Sequence, residues 1–362
     1  MIKTYDIQNI SEVDTSVLNY LKEKKHEKVV YCVDPDSNLK AIIAIHNTNL
    51  GPALGGTRIW NYNNINEAAN DVLRLSRGMT YKAAITGLKL GGGKAVIIGH
   101  EKNKNNEMMY AFGQFVESLK GKYITAEDVG MTPQDMRMIY EKTNHVVGKP
   151  KDLGGSGDPS VITAYGVYMG MKGSAKFKWG NDSLENKKIL VQGTGHVGEN
   201  LIKLLEKENA NIIVHDINHD KLNEIKNNYH VSIITENIYN QEIDIYAPCA
   251  LGATLNDLTI NQLKCSIIAG AANNQLENEK KHDNMIKSKG ILYAPDFLIN
   301  AGGLINVYSE LKGFSHNEVI QKTENIYDTT IAILKKSKEE NIPSQQAAMS
   351  IAKEKVHIKL TS

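Results

Sequence analysis

Short apolar runs alternate with amphipathic stretches along the 362-residue chain. The runs KVVYCVD (28–34) and KAIIAIHN (40–47) are rich in valine and isoleucine, and they predict two strands joined by a turn at 35–38. Further apolar runs predict strands at 95–98 and 122–125. Because strands and helical patterns follow one another, we expect an α/β fold.

The first helical pattern starts after Asn64. Apolar residues recur at three- and four-residue spacing from Ile65 to Met79, and Glu67 stands three residues after Asn64, as in a helix cap. We therefore predict a helix over this stretch, with Lys82 just beyond its C-terminal turns.

A strand, a glycine loop, a helix and a strand follow one another in the second half of the chain. KKILVQG (187–193) predicts a buried strand, GTGHVG (193–198) a tight turn, and the leucines near 201–205 an amphipathic helix. The next strand is NIIVHD (211–216). This order predicts a βαβ unit.

The glycine loop has the spacing of a dinucleotide-binding turn. Gly193 permits the tight turn, Gly195 lets a pyrophosphate approach the backbone, and Gly198 lets the helix pack on the strand. Asp216, at the end of the next strand, can accept hydrogen bonds from the adenosine ribose and would repel the extra phosphate of NADP. The pattern favours NAD as cofactor, and a structural βαβ unit without a ligand is the alternative.

More strand-like runs follow at 243–251, 265–276 and 291–303, each ending in small or amide residues. Their ends are expected to face the cofactor. Two last segments, 317–339 and 344–359, have helical periodicity.

The length of the chain predicts two domains with a cleft between them. A glycine and proline cluster, LGGSGDPS, begins near residue 150 and is typical of an interdomain crossing.

Charge and composition exclude several classes of partner. The formal net charge is +1, so no bulk field favours nucleic acid or an anionic membrane, and a small molecule is the expected partner. Without a signal-like N-terminus or a membrane span, we expect a cytoplasmic location. The three cysteines, Cys32, Cys249 and Cys265, are odd in number and widely spaced, which argues against a disulfide framework and a CxxC metal site, and they are interpreted as buried thiols.

Glycines between Gly51 and Lys94 surround two lysines, in GPALGGTR, GMTYKAA and GLKLGGGKAV. Two ammonium groups in one small cleft disfavour each other's charge, and burial adds to this effect. One of Lys82 and Lys94 would then act as a neutral base while the other binds an anion. The alternative is that the glycines before Lys94 form a turn, followed by the strand AVII.

Asp128 follows the predicted strand at 122–125. An aspartate at this position is often a turn or cap residue. Active-site groups also gather at strand ends in open α/β sheets, so Asp128 is a candidate proton carrier.

Several of these motifs together resemble the amino-acid dehydrogenases, and among them the leucine dehydrogenases and their branched-chain relatives. The resemblance runs in order from about residue 28 to about 330. The motifs that carry it are GPALGGTR, GMTYKAA, GLKLGGGKAV, YITAEDVG, TAYGV, APCALG, IAGAANNQL and INAGG.

The resemblance implies a fold with an N-terminal substrate domain over 1–149 and a Rossmann NAD-binding domain over 150–334. The C-terminal helices, about 335–362, would return to the first domain. It also implies a homo-oligomer, an octamer or another dimer-based assembly.

The implied reaction is the reversible, NAD-dependent oxidative deamination of an L-amino acid to a 2-oxo acid and ammonia. Lys94 is implied as the catalytic base that activates water, Asp128 as its partner in proton transfer, and Lys82 as the ligand of the substrate carboxylate. The resemblance implies no metal.

Further positions carry implied contacts. The substrate side of the cleft is assigned Leu54, Gly55, Gly56, Ala126, Leu304 and Val307. The cofactor side is assigned Gly193, Thr194, Gly195, His196, Val197, Gly198, Asp216, Thr163, Asn274 and Asn300. For Thr163, Asn274 and Asn300 the alternative is a structural hydroxyl or amide group.

The aliphatic pocket favours leucine, isoleucine and valine. Ala126 stands where relatives acting on phenylalanine or tryptophan tend to have glycine, and its methyl group should shorten the pocket. Leu304 replaces the valine usual in leucine dehydrogenases, which motivates a phenylalanine or tryptophan dehydrogenase as the alternative. A non-catalytic NAD-binding protein is the third hypothesis, although both lysines and Asp128 are present.

Overall fold

The computed structural model describes residues 2–357. Contacts divide the chain into two units. The first contains the chain up to Gly157, Val307–Gly313 and the end from Lys353, and the second contains Asp158–Asn306 and Phe314–Ala352. Residues 335–352 therefore group with the second unit, whereas the sequence placed the helices from about 335 with the first. Residues 358–362, including the end of the helix predicted at 344–359, lie outside the described residues.

The first unit is built on one mixed sheet. Its elements are β1 (Lys3–Asp6), α1 (Thr15–Glu23), β2 (Lys28–Asp34), β3 (Leu39–Asn47), β4 (Ala53–Trp60), α2 (Ile65–Ile85), β5 (Gly91–Ile98), α3 (Asn106–Glu117), β6 (Tyr123–Glu127) and α4 (Pro133–Tyr140). The strand order is β1-β2-β3-β5-β4-β6. Strand β4 pairs in parallel with both β5 and β6, while β1, β2, β3 and β5 pair antiparallel.

Both faces of this sheet are covered by apolar side chains. One face packs Val72 and Leu73 of α2 against Val96. The other packs Phe112 and Phe115 of α3. Alternate residues of β5 therefore point to opposite cores, as the strand period of two requires.

Helix α2 is longer than the sequence pattern suggested. The side chain of Asn64 accepts a hydrogen bond from the Glu67 N–H, as predicted, but the helix continues to Ile85. Ala83 and Ala84 are buried and extend the apolar stripe, and the helix continues through Gly78 and ends just before Gly87, which has φ +70°. Lys82 therefore lies in the last turn of α2, and its prediction beyond the helix was wrong.

The second unit contains a parallel sheet flanked by helices. Its elements are α5 (Ser160–Trp179), β7 (Lys188–Gln192), α6 (His196–Lys207), β8 (Asn211–His215), α7 (His219–Asn228), β9 (Val231–Ile233), β10 (Ile245–Pro248), α8 (Asp257–Gln262), β11 (Ile267–Ile268), α9 (Glu279–Ser288), β12 (Leu292–Tyr293), α10 (Asp296–Ile299), α11 (Gly302–Lys312), α12 (His316–Glu339) and α13 (Ser344–His357). Of these helices, α11 and α13 continue into segments that group with the first unit.

The strand order of this sheet is β12-β11-β10-β7-β8-β9. Counted from β7 as the first strand, this is the order 6-5-4-1-2-3 of a Rossmann fold. The α/β fold with a Rossmann unit is confirmed. The order reverses between β7 and β10, where such sheets bind their ligands.

The sequence pattern did not predict helix α5, because its own apolar residues are spread around the helix and form no amphipathic stripe. It packs against α12. A Cβ at Gly173 would lie 2.8 Å from the Tyr327 carbonyl oxygen, so the glycine permits the close approach.

Cys32 is buried, but Cys249 and Cys265 are only partly buried, which corrects their interpretation as three buried thiols.

Within residues 2–357, no helix combines the length and apolar character that a membrane crossing needs.

Candidate active site

The three glycines before Lys94 belong to strand β5, so their interpretation as a turn was wrong. A Cβ at Gly92 would lie 2.1 Å from the backbone nitrogen of Thr80 on α2. On the neighbouring strand, a Cβ at Gly55 would lie 1.8 Å from the Gly93 carbonyl oxygen. The glycines therefore let α2 and β4 pack at backbone distance against the strand that carries Lys94.

Lys94 and Asp128, 34 residues apart in sequence, form an ion pair. The Lys94 Nζ donates to Asp128 Oδ2 at 2.7 Å, and the two side chains are 8% and 26% exposed. Asp128 directly follows β6, and a Cβ at Gly56 would lie 2.7 Å from its Cβ. The pair thus depends on three neighbouring strands and on a position without a side chain.

Arg58, which was not among the predicted site residues, binds the same carboxylate. The Arg58 Nε donates to Asp128 Oδ2 at 3.2 Å, and its Nη1 donates to Asp71 Oδ2 at 3.0 Å. Tyr62 donates its hydroxyl to the same Asp71 oxygen at 2.7 Å. The signal was the arginine of GPALGGTR, two residues beyond the glycine that faces Asp128 and therefore on the same face of β4.

The ionisation of the pair follows from burial and charge. Burial lowers the pKa of the Lys94 ammonium, Asp128 opposes this effect, and Arg58 adds to it. Burial would raise the pKa of Asp128, but the neighbouring Lys94 and Arg58 outweigh it, so the pKa lies below its ordinary value. The site combines a carboxylate that stays ionised with an amine that gives up its proton more readily than an exposed lysine.

The residues predicted on the substrate side lie on β4, β6, α2 and α11. Leu54 and Ala126 are buried, and Ala126 is the register partner of Gly56 across β4 and β6. Lys82, in α2, lies on the helix that packs against β5. Leu304 and Val307 lie on α11 and group with different units, so their place in the pocket stays a prediction.

The glycine loop after β7 fits the pyrophosphate of a dinucleotide. Gly193 has φ +102°, and its Cβ would lie 2.7 Å from the Ala250 nitrogen. A Cβ at Gly198 would lie 2.0 Å from the Gly193 carbonyl oxygen. Gly195 caps α6 and faces open space, so the helix N-terminus is accessible to an anion.

Hydrogen bonds to the backbone and to Thr194 hold the Asp216 side chain just after the end of β8. Its Oδ2 accepts from the backbone nitrogen of Thr194 at 2.7 Å and from the Thr194 hydroxyl at 3.0 Å, and its Oδ1 accepts from the Asn218 nitrogen at 2.9 Å. Burial opposes ionisation, but these hydrogen bonds outweigh it and lower the pKa of Asp216. His196 and Val197 lie in the first turn of α6.

The remaining cofactor candidates lie elsewhere in the second unit. Asn300 is buried, and its amide donates to the Ala271 carbonyl and, at 2.7 Å, to the Asn273 side chain. Asn274 is exposed with φ +51°. The Thr163 hydroxyl donates to the Pro159 carbonyl within α5 at 2.9 Å.

Metal ligation has no structural support in the part of the chain that is described. No group of three or more His, Cys, Asp or Glu side chains there is placed to hold an ion.

Comparison with known sequence families gives a match over nearly the whole chain. The sequence profile of the Glu/Leu/Phe/Val dehydrogenase dimerisation domain matches residues 26–145. The profile of Glutamate/Leucine/Phenylalanine/Valine dehydrogenase matches residues 154–218 and 210–360.

Individual relatives agree with this match. The chain is 52% identical over 342 residues to a leucine dehydrogenase of Bacillus subtilis (strain 168), covering 94% of each chain. It is 46% identical over 339 residues to an L-tryptophan dehydrogenase of Nostoc punctiforme, covering 93% of this chain and 95% of the relative. A crystal structure of L-tryptophan dehydrogenase from Nostoc punctiforme superposes with a TM-score of 0.86 at 44% identity, covering 95% of this chain and all of the other.

Proposed function

Because the chain belongs to the Glu/Leu/Phe/Val dehydrogenase family, we propose that it catalyses the reversible NAD-dependent oxidative deamination of branched-chain L-amino acids. It is an oxidoreductase that acts on the CH–NH2 group, and its products are 2-oxo acids and ammonia. The observation that carries the proposal is the buried Lys94–Asp128 ion pair on the glycine-lined strand.

In the proposed mechanism the residues of this chain bind and orient the substrate, and they move protons. NAD, when bound, would supply the acceptor for the hydride that leaves the substrate Cα. Lys82 binds the substrate carboxylate as a cation. Water attacks the iminium carbon left by this oxidation, and Lys94, whose burial favours the neutral amine, accepts a proton from that water as a general base. Asp128 is ionised at rest, takes up a proton from Lys94 only transiently and passes it to the leaving nitrogen.

The cofactor would be held by the second unit. The backbone of Gly193–Gly198 and the N-terminus of α6 would bind the pyrophosphate, and Asp216 would bind the adenosine ribose. An ionised carboxylate there favours NAD, since it repels a ribose phosphate. We assign the first unit to the substrate and the second to the cofactor.

The aliphatic side chains Leu54 and Ala126 support a branched-chain substrate. An aromatic substrate is the second candidate, because Leu304 replaces the usual valine and a tryptophan dehydrogenase is 46% identical to this chain. A methylene-sized difference in such a pocket is worth about 1–3 kcal/mol, so it changes the preference between substrates without abolishing either.

A homo-oligomer built from dimers, such as an octamer, is part of the proposal. It is supported by the match of residues 26–145 to a domain described as a dimerisation domain. The cytoplasmic location remains a prediction from sequence.

The purified chain tests this function directly. Leucine, valine, isoleucine, phenylalanine and tryptophan are each offered with NAD or NADP, and absorbance of the reduced nicotinamide is followed. We expect the highest kcat/KM with leucine and NAD. A clear preference for phenylalanine would select the aromatic alternative, and NADH binding without turnover of any amino acid would select a non-catalytic NAD-binding protein.

Two variants separate chemistry from folding. Lys94→Ala should abolish deamination and leave NADH binding nearly intact, since the glycine loop lies in the other unit. Lys102→Ala, at an exposed lysine, is the matched control and should behave like wild type. Equal loss of activity and NADH binding in Lys94→Ala would contradict the assignment.

A further inference from the structure

Arg58 connects the proposed catalytic pair to a second set of buried polar groups. It lies on β4, between β5, which carries Lys94, and β6, which Asp128 directly follows. Its side chain is 25% exposed and spans two carboxylates, with Nε on Asp128 and Nη1 on Asp71. A guanidinium does not lose its proton in proteins, so Arg58 carries its charge throughout the pH range of an activity assay.

The far end of the bridge is fixed on α2. Asp71 is 15% exposed and accepts hydrogen bonds from Arg58 and Tyr62 through the same oxygen. Burial and Asp71 raise the pKa of Tyr62 far above its ordinary value, so its hydroxyl remains a donor. Arg58 is thus anchored independently of Asp128.

At the near end, two cations meet on one oxygen. Lys94 Nζ and Arg58 Nε both donate to Asp128 Oδ2, at 2.7 Å and 3.2 Å. Their shared use of Oδ2 restrains the rotation of the Asp128 carboxylate. The permanent charge of Arg58 also disfavours the charge on Lys94.

We propose that Arg58 is a positioning residue for proton transfer: anchored on Asp71, it orients the Asp128 carboxylate beside Lys94 and places a permanent positive charge next to that amine. This inference rests on the proposed function, in which Lys94 is the base. Arg58 itself does not exchange a proton in any step.

The test is the pH dependence of kcat/KM for oxidative deamination by the full-length protein. Arg58→Gln removes the charge. Arg58→Lys keeps the charge but loses the guanidinium, which donates to Asp128 and Asp71 through two different nitrogens. Arg74→Gln is the matched control, because Arg74 is 68% exposed and lies 3.5 Å from Asp71, and it makes no ion pair with Asp128 in the described structure.

Loss of the Arg58 charge raises the pKa of Lys94, so the ascending limb of the profile should move to higher pH in Arg58→Gln. A shift of one pH unit lowers kcat/KM about tenfold on that limb. Arg58→Lys should keep the limb near its wild-type position with a reduced kcat, and Arg74→Gln should match wild type.

An Arg58→Gln profile that keeps its midpoint, with the rate reduced equally at every pH, would show a merely structural role. If Arg58→Gln does not fold, an Arg58→Lys variant with wild-type kcat overturns the inference. Inactivity of the wild-type protein toward every amino acid would overturn the proposed function and this inference together, whereas an active wild type with an unshifted variant overturns only the role of Arg58.

Discussion

His46 should make the folded protein sensitive to acid. It is the extra residue at an irregularity in the pairing of β3 with β5, and it is 6% exposed. One ring nitrogen bonds to the Thr80 hydroxyl at 2.8 Å and the other to the Lys24 carbonyl at 3.1 Å. Burial, with the nearby His26 and Arg77, lowers the pKa of His46 from 6.5 to about 3.

The sign and size of the effect follow from proton linkage. Between pH 6.5 and 3 the unfolded chain binds a proton at this histidine and the folded protein does not. The stability that is present above pH 6.5 is therefore lost as the pH falls toward 3. From pH 7.5 to pH 5 the loss amounts to about 2 kcal/mol from His46 alone.

Urea unfolding at pH 7.5 and pH 5, at fixed protein concentration, measures this loss. His46→Gln keeps a hydrogen-bonding side chain and cannot be protonated, so its pH-dependent loss should be smaller than that of wild type by about 2 kcal/mol. The exposed His316→Gln is the control and should keep the wild-type dependence.

The other titrating groups are common to wild type and His46→Gln, and among them His26 interacts directly with His46. Burial also lowers the pKa of His26 and adds to the acid sensitivity. Burial raises the pKa of Asp283 to about 7, which acts in the opposite direction, since the folded state then binds the extra proton. If His46→Gln keeps the full pH dependence, His46 is not the buried neutral group described above.

Three further outcomes are expected. Asp216→Ala should raise the ratio of kcat/KM with NADP to that with NAD, and an unchanged ratio would contradict the argument from charge repulsion. Gly92→Ala should lower the melting temperature strongly and lose activity, because its Cβ would lie 2.1 Å from the Thr80 nitrogen, whereas Gly99→Ala, with no atom within 4 Å, should be tolerated. Burial raises the pKa of the Cys32 thiol to about 12, so iodoacetamide at pH 8 should leave Cys32 unlabelled in the native protein and label it in urea, as measured by mass spectrometry.

The cofactor loop could be predicted from sequence because its signals are local. Gly193, Gly195 and Gly198 lie within six residues, and Asp216 follows one helix later. Both the turn and the next strand are set by neighbours in the chain, so spacing alone predicts the βαβ unit. The structure also brings Lys94 and Asp128 together, as their proposed partnership requires.

The contacts of Arg58 could not be predicted in this way. Its partner Asp128 is 70 residues away, and they meet only because β4 lies between β5 and β6, an order that periodicity does not encode. The strand assignment of Gly91–Gly93 also depends on tertiary structure, since glycine has low strand propensity and the close packing of Asn47, Thr80 and Tyr123 against these positions explains it. The irregularity at His46 is likewise a property of strand pairing.

The close packing around β5 has a consequence for directed evolution of this enzyme. Gly55, Gly56 and Gly92 stand where any added carbon would collide with main-chain atoms, so libraries that randomise them should yield few folded clones. Diversity is better introduced at Ala126, which we propose as a pocket residue and which is not one of these glycines. New substrate ranges should therefore arise on the β6 side of the site, and the lysine-bearing strand should stay nearly invariant in any successful lineage.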